Sequence, residues 1–179
     1  MAVDYVGRVR LLGWQELRRL WEQIETGAVA GWPPGRALEH LVLRAFELSG
    51  ATVRWPYRVA FEGEVVEQID GAVHLHGLSC IVECKDTGEP TRIETIAKLR
   101  NQLLRRPAGA VGLLFSRSGF SEPAVLLTGV VAPQTILLWD GDEIAYLLAR
   151  GDFAPALLEK YRRSVETGLP IFDIRQEVA

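Results

Sequence analysis

The 179-residue sequence has only two cysteines, three histidines and no excess of positive charge. Cys80 and Cys84 fall on one short stretch, too close together to staple a fold. They suit small core residues in a reducing compartment, so a cytoplasmic protein is expected. No apolar run approaches the roughly 18 residues of a membrane span, and no membrane contact is expected. The opening residues, MAVDYVGRVR, put an acid and two bases ahead of any apolar stretch, which is not a signal-peptide layout. A formal charge of −3 does not announce a nucleic-acid binder. Local patches decide such contacts, however, and whole-chain charge does not.

What is present suits one α/β domain with an ordinary core: 48% of residues are hydrophobic and 24% charged. Apolar residues at 17, 20, 21 and 24 predict an amphipathic helix over Leu11–Glu25. The Gly31-Trp32-Pro33-Pro34-Gly35 break then divides a helical extension, residues 1–32, from the main domain, residues 33–179. A second helix is predicted over Arg36–Leu48, with Leu38, Leu41, Val42, Ala45 and Phe46 as its buried stripe. Thr52–Phe61 reads as extended but interrupted at Pro56, hence an edge strand or two short ones. Strands are expected over Val65–His76 and Ser79–Lys85. Thr91 with Glu94 three residues on predicts a capping box for a helix running to about Arg106. Buried strands at Gly109–Phe115 and Thr135–Trp139 follow, with helices near Pro123–Thr128, Asp142–Ala149 and Phe153–Val165. The order from Arg36 is α-β-β-β-α-β-α-β, a central mixed sheet flanked by helices.

The stretch Gln68–Asp86 gathers acids and a lysine. If Gly77-Leu78 is a two-residue turn, His76 faces Ser79, His74 faces Ile81, Ala72 faces Glu83 and Asp70 faces Lys85. Alternation then puts Asp70, Glu83 and Lys85 on one face. The other face collects Ile69, Val73, Leu75, Cys80, Val82 and Cys84 as an apolar surface. A slip by one residue would bury charge among these. Carboxylates this close need compensation, from Lys85 or from a hard cation such as Mg²⁺, which takes oxygen ligands. Two readings fit: a lysine-neutralised surface hairpin, or a cation site. Glu39, near its helix start, is either an acid favoured by the helix dipole or a carboxylate aimed at the site.

Other features are weaker. From Arg92 to Arg117 the chain carries Arg92, Lys98, Arg100, Arg105, Arg106 and Arg117 against the single acid Glu94. That is either a solvated helix face or a phosphate-facing one. His74 and His76 have zinc-like spacing but lack further ligands nearby, which favours polar histidines at the margin of the site. Ser116-Arg117-Ser118-Gly119 lacks both the Gly-x-Ser-x-Gly and the Gly-Lys-Ser/Thr pattern.

Asp70, followed after a hairpin by Glu83-Cys84-Lys85 and preceded by the helical acid Glu39, resembles the PD-(D/E)XK nuclease signature. Ile69-Asp70-Gly71, Val82-Glu83-Cys84-Lys85, Val111-Gly112-Leu113-Leu114-Phe115-Ser116 and Gly119-Phe120-Ser121 resemble the catalytic domain of Mrr-type restriction endonucleases. Ile69 stands where the motif name has proline, and Glu83 where such domains often have glutamine. The resemblance implies a restriction-endonuclease-like core and Mg²⁺-dependent hydrolysis of DNA, with Mn²⁺ able to substitute. It implies that Asp70, Glu83 and the Cys84 backbone carbonyl hold the metal, and that Lys85 positions the attacking water. Glu39 would orient the site or hold a second metal. It places Lys98, Arg100 and Arg105 near the DNA backbone, with Gln102 reaching the site or the core. Alternatives are a silent nucleic-acid-binding or scaffold subunit, or a nuclease for branched DNA or RNA. Targeting is expected from homodimerisation or a partner protein, within a DNA restriction or defence system.

Overall fold

A computed structural model describes residues 4–130, 135–169 and 171–176. Two helices, α1 (Tyr5–Arg10) and α2 (Trp14–Thr26), precede α3 (Arg36–Leu48). The single helix expected over Leu11–Glu25 is thus α2, preceded by a short α1 that apolar spacing did not signal. Leu17, Leu20, Trp21 and Ile24 of α2 are buried, and they join α3 in one core. Glycines and prolines break the chain between α2 and α3, and the apolar stripes of both helices join the core on the same side of the sheet.

The central sheet has five strands in the order β1 (Thr52–Arg54), β4 (Gly71–Leu75), β5 (Leu78–Lys85), β6 (Ala110–Ser116) and β7 (Ile136–Trp139). β1–β4 and β4–β5 are antiparallel, while β5–β6 and β6–β7 are parallel, so the sheet is mixed as expected. A separate two-stranded sheet pairs β2 (Tyr57–Phe61) with β3 (Glu64–Ile69). Helices α4 (Ile93–Leu103), α5 (Glu122–Val130), α6 (Gly141–Arg150) and α7 (Phe153–Thr167) complete the described elements. One core lies between the sheet and α2, α3, α6 and α7; a second lies under α4 and α5. Among the described residues, no helix is long and apolar enough to cross a membrane.

Four expectations are corrected. The strand predicted over Val65–His76 is broken at Asp70, where the chain leaves the two-stranded sheet and enters the five-stranded one. That break resets the alternation. Ile69 therefore packs with Ile81 and Ile96 in the α4-side core, away from Val73, Cys80 and Val82. Second, the hairpin turn is His76-Gly77, not Gly77-Leu78, and the pairs are Leu75↔Leu78, His74↔Ser79, Val73↔Cys80 and Ala72↔Ile81. Both turn residues have positive φ, 47° and 82°, the geometry that matches strand twist and frees Leu78 to be buried. The register moves by two residues, so the faces survive while the partners change. Third, His76 belongs to the turn and not to a strand face. Fourth, Thr91 forms no capping box: Arg92 is the N-cap of α4, and the Thr91 hydroxyl pairs with Ser116 Oγ at 2.7 Å.

Candidate active site

Asp70 is fixed by the sheet change. The next residue, Gly71, leaves no room for a side chain: a Cβ there would lie 2.6 Å from Leu43 of α3 and 3.0 Å from the Arg54 carbonyl. Only glycine lets α3 and β1 come this close to β4. The last ladder pair is Gly71↔Val82, so one step further the chain brings Asp70 beside Glu83. Asp70 Oδ2 accepts the Cys84 backbone N–H at 2.8 Å. Asp70 facing Lys85, the pairing expected from sequence, is replaced by this arrangement.

Glu83, on β5, is only 1% exposed. Its Oε1 lies 2.7 Å from Lys85 Nζ and 2.9 Å from Lys98 Nζ, and its Oε2 lies 3.0 Å from Lys98 Nζ. Lys98 reaches it from α4, which the β5–α4–β6 crossover lays across this face. Glu39, in the first turn of α3, is paired with Arg36 at 3.0 Å. Glu39, Asp70, Glu83, Cys84, Lys85 and Lys98 line one cleft of about 440 Å³.

The electrostatics record crowding. Burial, and then the charge of Asp70, push the Glu39 carboxyl up to about 7 against the pull of Arg36. Burial, and then Glu83, push Asp70 up to about 6, although the Cys84 N–H and both lysines oppose this. Burial works against the charge on Lys85, but its hydrogen bond to Glu83 holds its affinity for the proton raised. The Cys84 thiol is raised well above its ordinary value by burial and by the three nearby acids, so it stays protonated and inert.

Among the described residues, no three Asp, Glu, His or Cys side chains are grouped closely enough to hold a metal ion. Each acid is turned to its own partner: Arg36, the Cys84 N–H, or the two lysines. The donor chemistry nevertheless suits Mg²⁺. It consists of carboxylate oxygens in a partly desolvated cleft, and Mg²⁺ is usually bound by one or two carboxylates, with waters completing its shell.

The remaining candidates are dispersed. Gln102 is buried and donates to the Gln68 carbonyl at 3.4 Å. Arg105 and Arg106 both pair with the buried Glu67 of β3. Arg100 is half-buried. His74 is exposed and hydrogen-bonds Ser79, at the opposite end of β5 from Lys85. Sequence reasoning did not foresee that Lys98 would be a partner of Glu83. Nor did it foresee the Arg117–Asp86 pair, 2.6 Å apart, with Asp86 on the cleft wall. The crossover that carries α4 over β5 was the available signal for Lys98.

A mixed sheet split at an acid, with a second acid and a lysine on the adjoining strand, is the layout of the restriction-endonuclease-like class. The Mrr catalytic-domain profile, described as restriction endonuclease, matches residues 34–148. The chain belongs to that family. Its fold is similar to that of a protein of unknown function, AF1548, at 20% identity and a TM-score of 0.50, covering 71% of this chain and 76% of that one. It is also similar to the DNA modification-dependent restriction endonuclease AspBHI, at 16% identity and a TM-score of 0.51, covering 94% of this chain. It spans only 44% of that enzyme's length. No curated protein matches the sequence significantly.

Proposed function

We propose that the protein is a Mg²⁺-dependent DNA endonuclease and that its catalytic groups are Asp70, Glu83 and Lys85, assisted by Glu39. The observation that carries this is the single cleft into which a broken strand, its neighbour and α3 deliver all four. Asp70 and Glu83 would hold Mg²⁺, with the Cys84 carbonyl a further oxygen donor. A bound Mg²⁺ acidifies water and neutralises phosphate charge. Lys85 positions the attacking water and offsets charge developing on the phosphate. Glu39, whose carboxyl is pushed up to about 7 by burial and by Asp70, orients the site or holds a second metal. Recognition of a particular DNA falls to a second copy of the chain or to a partner protein.

The test is cleavage of supercoiled plasmid in Mg²⁺ by wild type, Asp70→Ala and Lys85→Met. Each variant is expected to lose about 100-fold or more in rate. Equal cleavage by all three would defeat the assignment. Binding without cleavage would favour a silent nucleic-acid-binding subunit, and cleavage confined to branched DNA or RNA would change the substrate.

A further inference from the structure

Glu83 is the most deeply buried acid of the cleft, and two lysines neutralise it. Lys98 donates to both of its oxygens, at 2.9 and 3.0 Å, and Lys85 Nζ lies 2.7 Å from Oε1. An ammonium group seated across both oxygens of a carboxylate stands where a bound cation would stand. The two lysines differ in freedom. Lys85 lies two residues along the same strand, with a side chain 32% exposed. Lys98 comes from a different element and its side chain is 50% exposed, so its flexible stem can turn into solvent without disturbing the packed face of α4. The other face of that helix carries Ile96, Leu99 and Leu103, which fix the backbone. Asp70, meanwhile, is held by the Cys84 N–H and has no ion-pair partner among the described residues.

Resting on the metal-site reading above, we propose that Lys98 is a built-in place-holder for the cation. It neutralises Glu83 until a divalent ion arrives, then leaves that carboxylate and turns into the cleft, where its charge is free to meet a nucleic-acid phosphate. The exchange balances charge. One ammonium leaves Glu83 and a divalent ion enters, so the additional positive charge serves Asp70. The released lysine stays within one side-chain length of the reacting phosphate. Lys98 is the exposed half of the pair, so its ammonium returns to water at little cost once another cation neutralises the buried Glu83.

The experiment is Mn²⁺ titration of the full chain by calorimetry without nucleic acid, on wild type, Lys98→Met, Lys98→Arg and Asp70→Ala, with metal-free thermal melts beside it. Lys98→Met is expected to bind Mn²⁺ about fivefold more tightly, because no competitor has to be displaced. Its metal-free melting temperature should fall below that of wild type, and saturating Mn²⁺ should close the gap. Lys98→Arg, which keeps the charge, should bind Mn²⁺ no more tightly than wild type. Normal uptake by wild type with equal or weaker uptake by Lys98→Met overturns the exchange alone. Absence of uptake by wild type, or uptake undiminished in Asp70→Ala, overturns the metal site and the exchange together.

Discussion

At the scale of residues, the cleft is held under charge stress that the fold resolves only in part. Glu39 shows this most clearly. Its carboxyl titrates at about 7 in the folded chain against an ordinary value of 4.5, so the folded state binds its proton more tightly than the unfolded state does. For an acid shifted in this direction, stability falls as pH rises from the unfolded value through the folded one. Glu39→Gln removes the penalty. The metal-free variant should therefore match wild type near pH 4 and exceed it above pH 7 by on the order of 2 kcal/mol. Denaturant unfolding across that pH range checks this, and a gain that does not change with pH would contradict it. Gly71 carries the opposite kind of constraint, since a Cβ there meets Leu43 and the Arg54 carbonyl. Gly71→Ala is expected to cost about 1–3 kcal/mol and, by pushing α3 from β4, to weaken Mn²⁺ uptake at the adjoining Asp70. Calorimetry and urea unfolding of the same sample would report both effects.

At the scale of elements, the β4–β5 hairpin and α4 decide what the site can be. The turn His76-Gly77 puts a histidine at φ 47°, where asparagine is better suited. His76→Asn should stabilise the protein by about 0.5 kcal/mol and leave cleavage unchanged, because the turn lies at the far end of β5 from Lys85. Loss of activity in that variant would tie the histidine to the site after all. Helix α4 and the turn after it are tied to both sheets, by Lys98 on Glu83 of β5, Gln102 on the Gln68 carbonyl of β3, and Arg105 and Arg106 on Glu67 of β3. The basic run, which the residues alone leave open as a solvated or a phosphate-facing face, is thus largely spent on internal acids.

These elements also show what could be read from the residues. The α3 stripe and the alternation of β5 follow from local periodicity, so their extents and buried faces were legible. Glu83 and Lys85 share a face in any even register, and the sheet change brings Asp70 beside Glu83, which is why a two-residue error in register still leaves the three in one cleft. The break at Asp70 was not legible, because nothing local in Val65–His76 signals that its halves belong to different sheets. The pairs Arg105–Glu67 and Lys98–Glu83 join residues far apart in sequence, and only the crossover of α4 over β5 brings them together.

At the scale of the whole molecule, the two cores on either side of the sheet are closed by different means. On the α4 side the buried acids Glu83 and Glu67 pair with half-exposed Lys98 and Arg105, whereas the far side buries both partners of an ion pair. Lys160 of α7 is 1% exposed, with Nζ 2.5 Å from Glu143 of α6 and 4.1 Å above the Trp139 ring. Burial lowers the proton affinity of this lysine and raises that of Glu143, while each opposes the shift in the other. Lys160→Met leaves the buried Glu143 carboxylate with only the Asp140 and Ile174 backbone N–H groups and should cost about 3–5 kcal/mol, of which the double variant with Glu143→Leu, which frees those two donors, should recover only part. Equilibrium unfolding measures both, and a single variant as stable as wild type would contradict the role given to the pair. The candidate cleft opens where the chain passes from one sheet to the other, and neither Lys160 nor Glu143 lines it. The most direct test of the central claim is anomalous diffraction at the manganese edge from crystals of the full chain grown with Mn²⁺. A peak bonded to Asp70 and Glu83 is expected, with Lys98 turned away from Glu83. An empty cleft at a Mn²⁺ concentration that supports cleavage, or a peak on other residues, would contradict it.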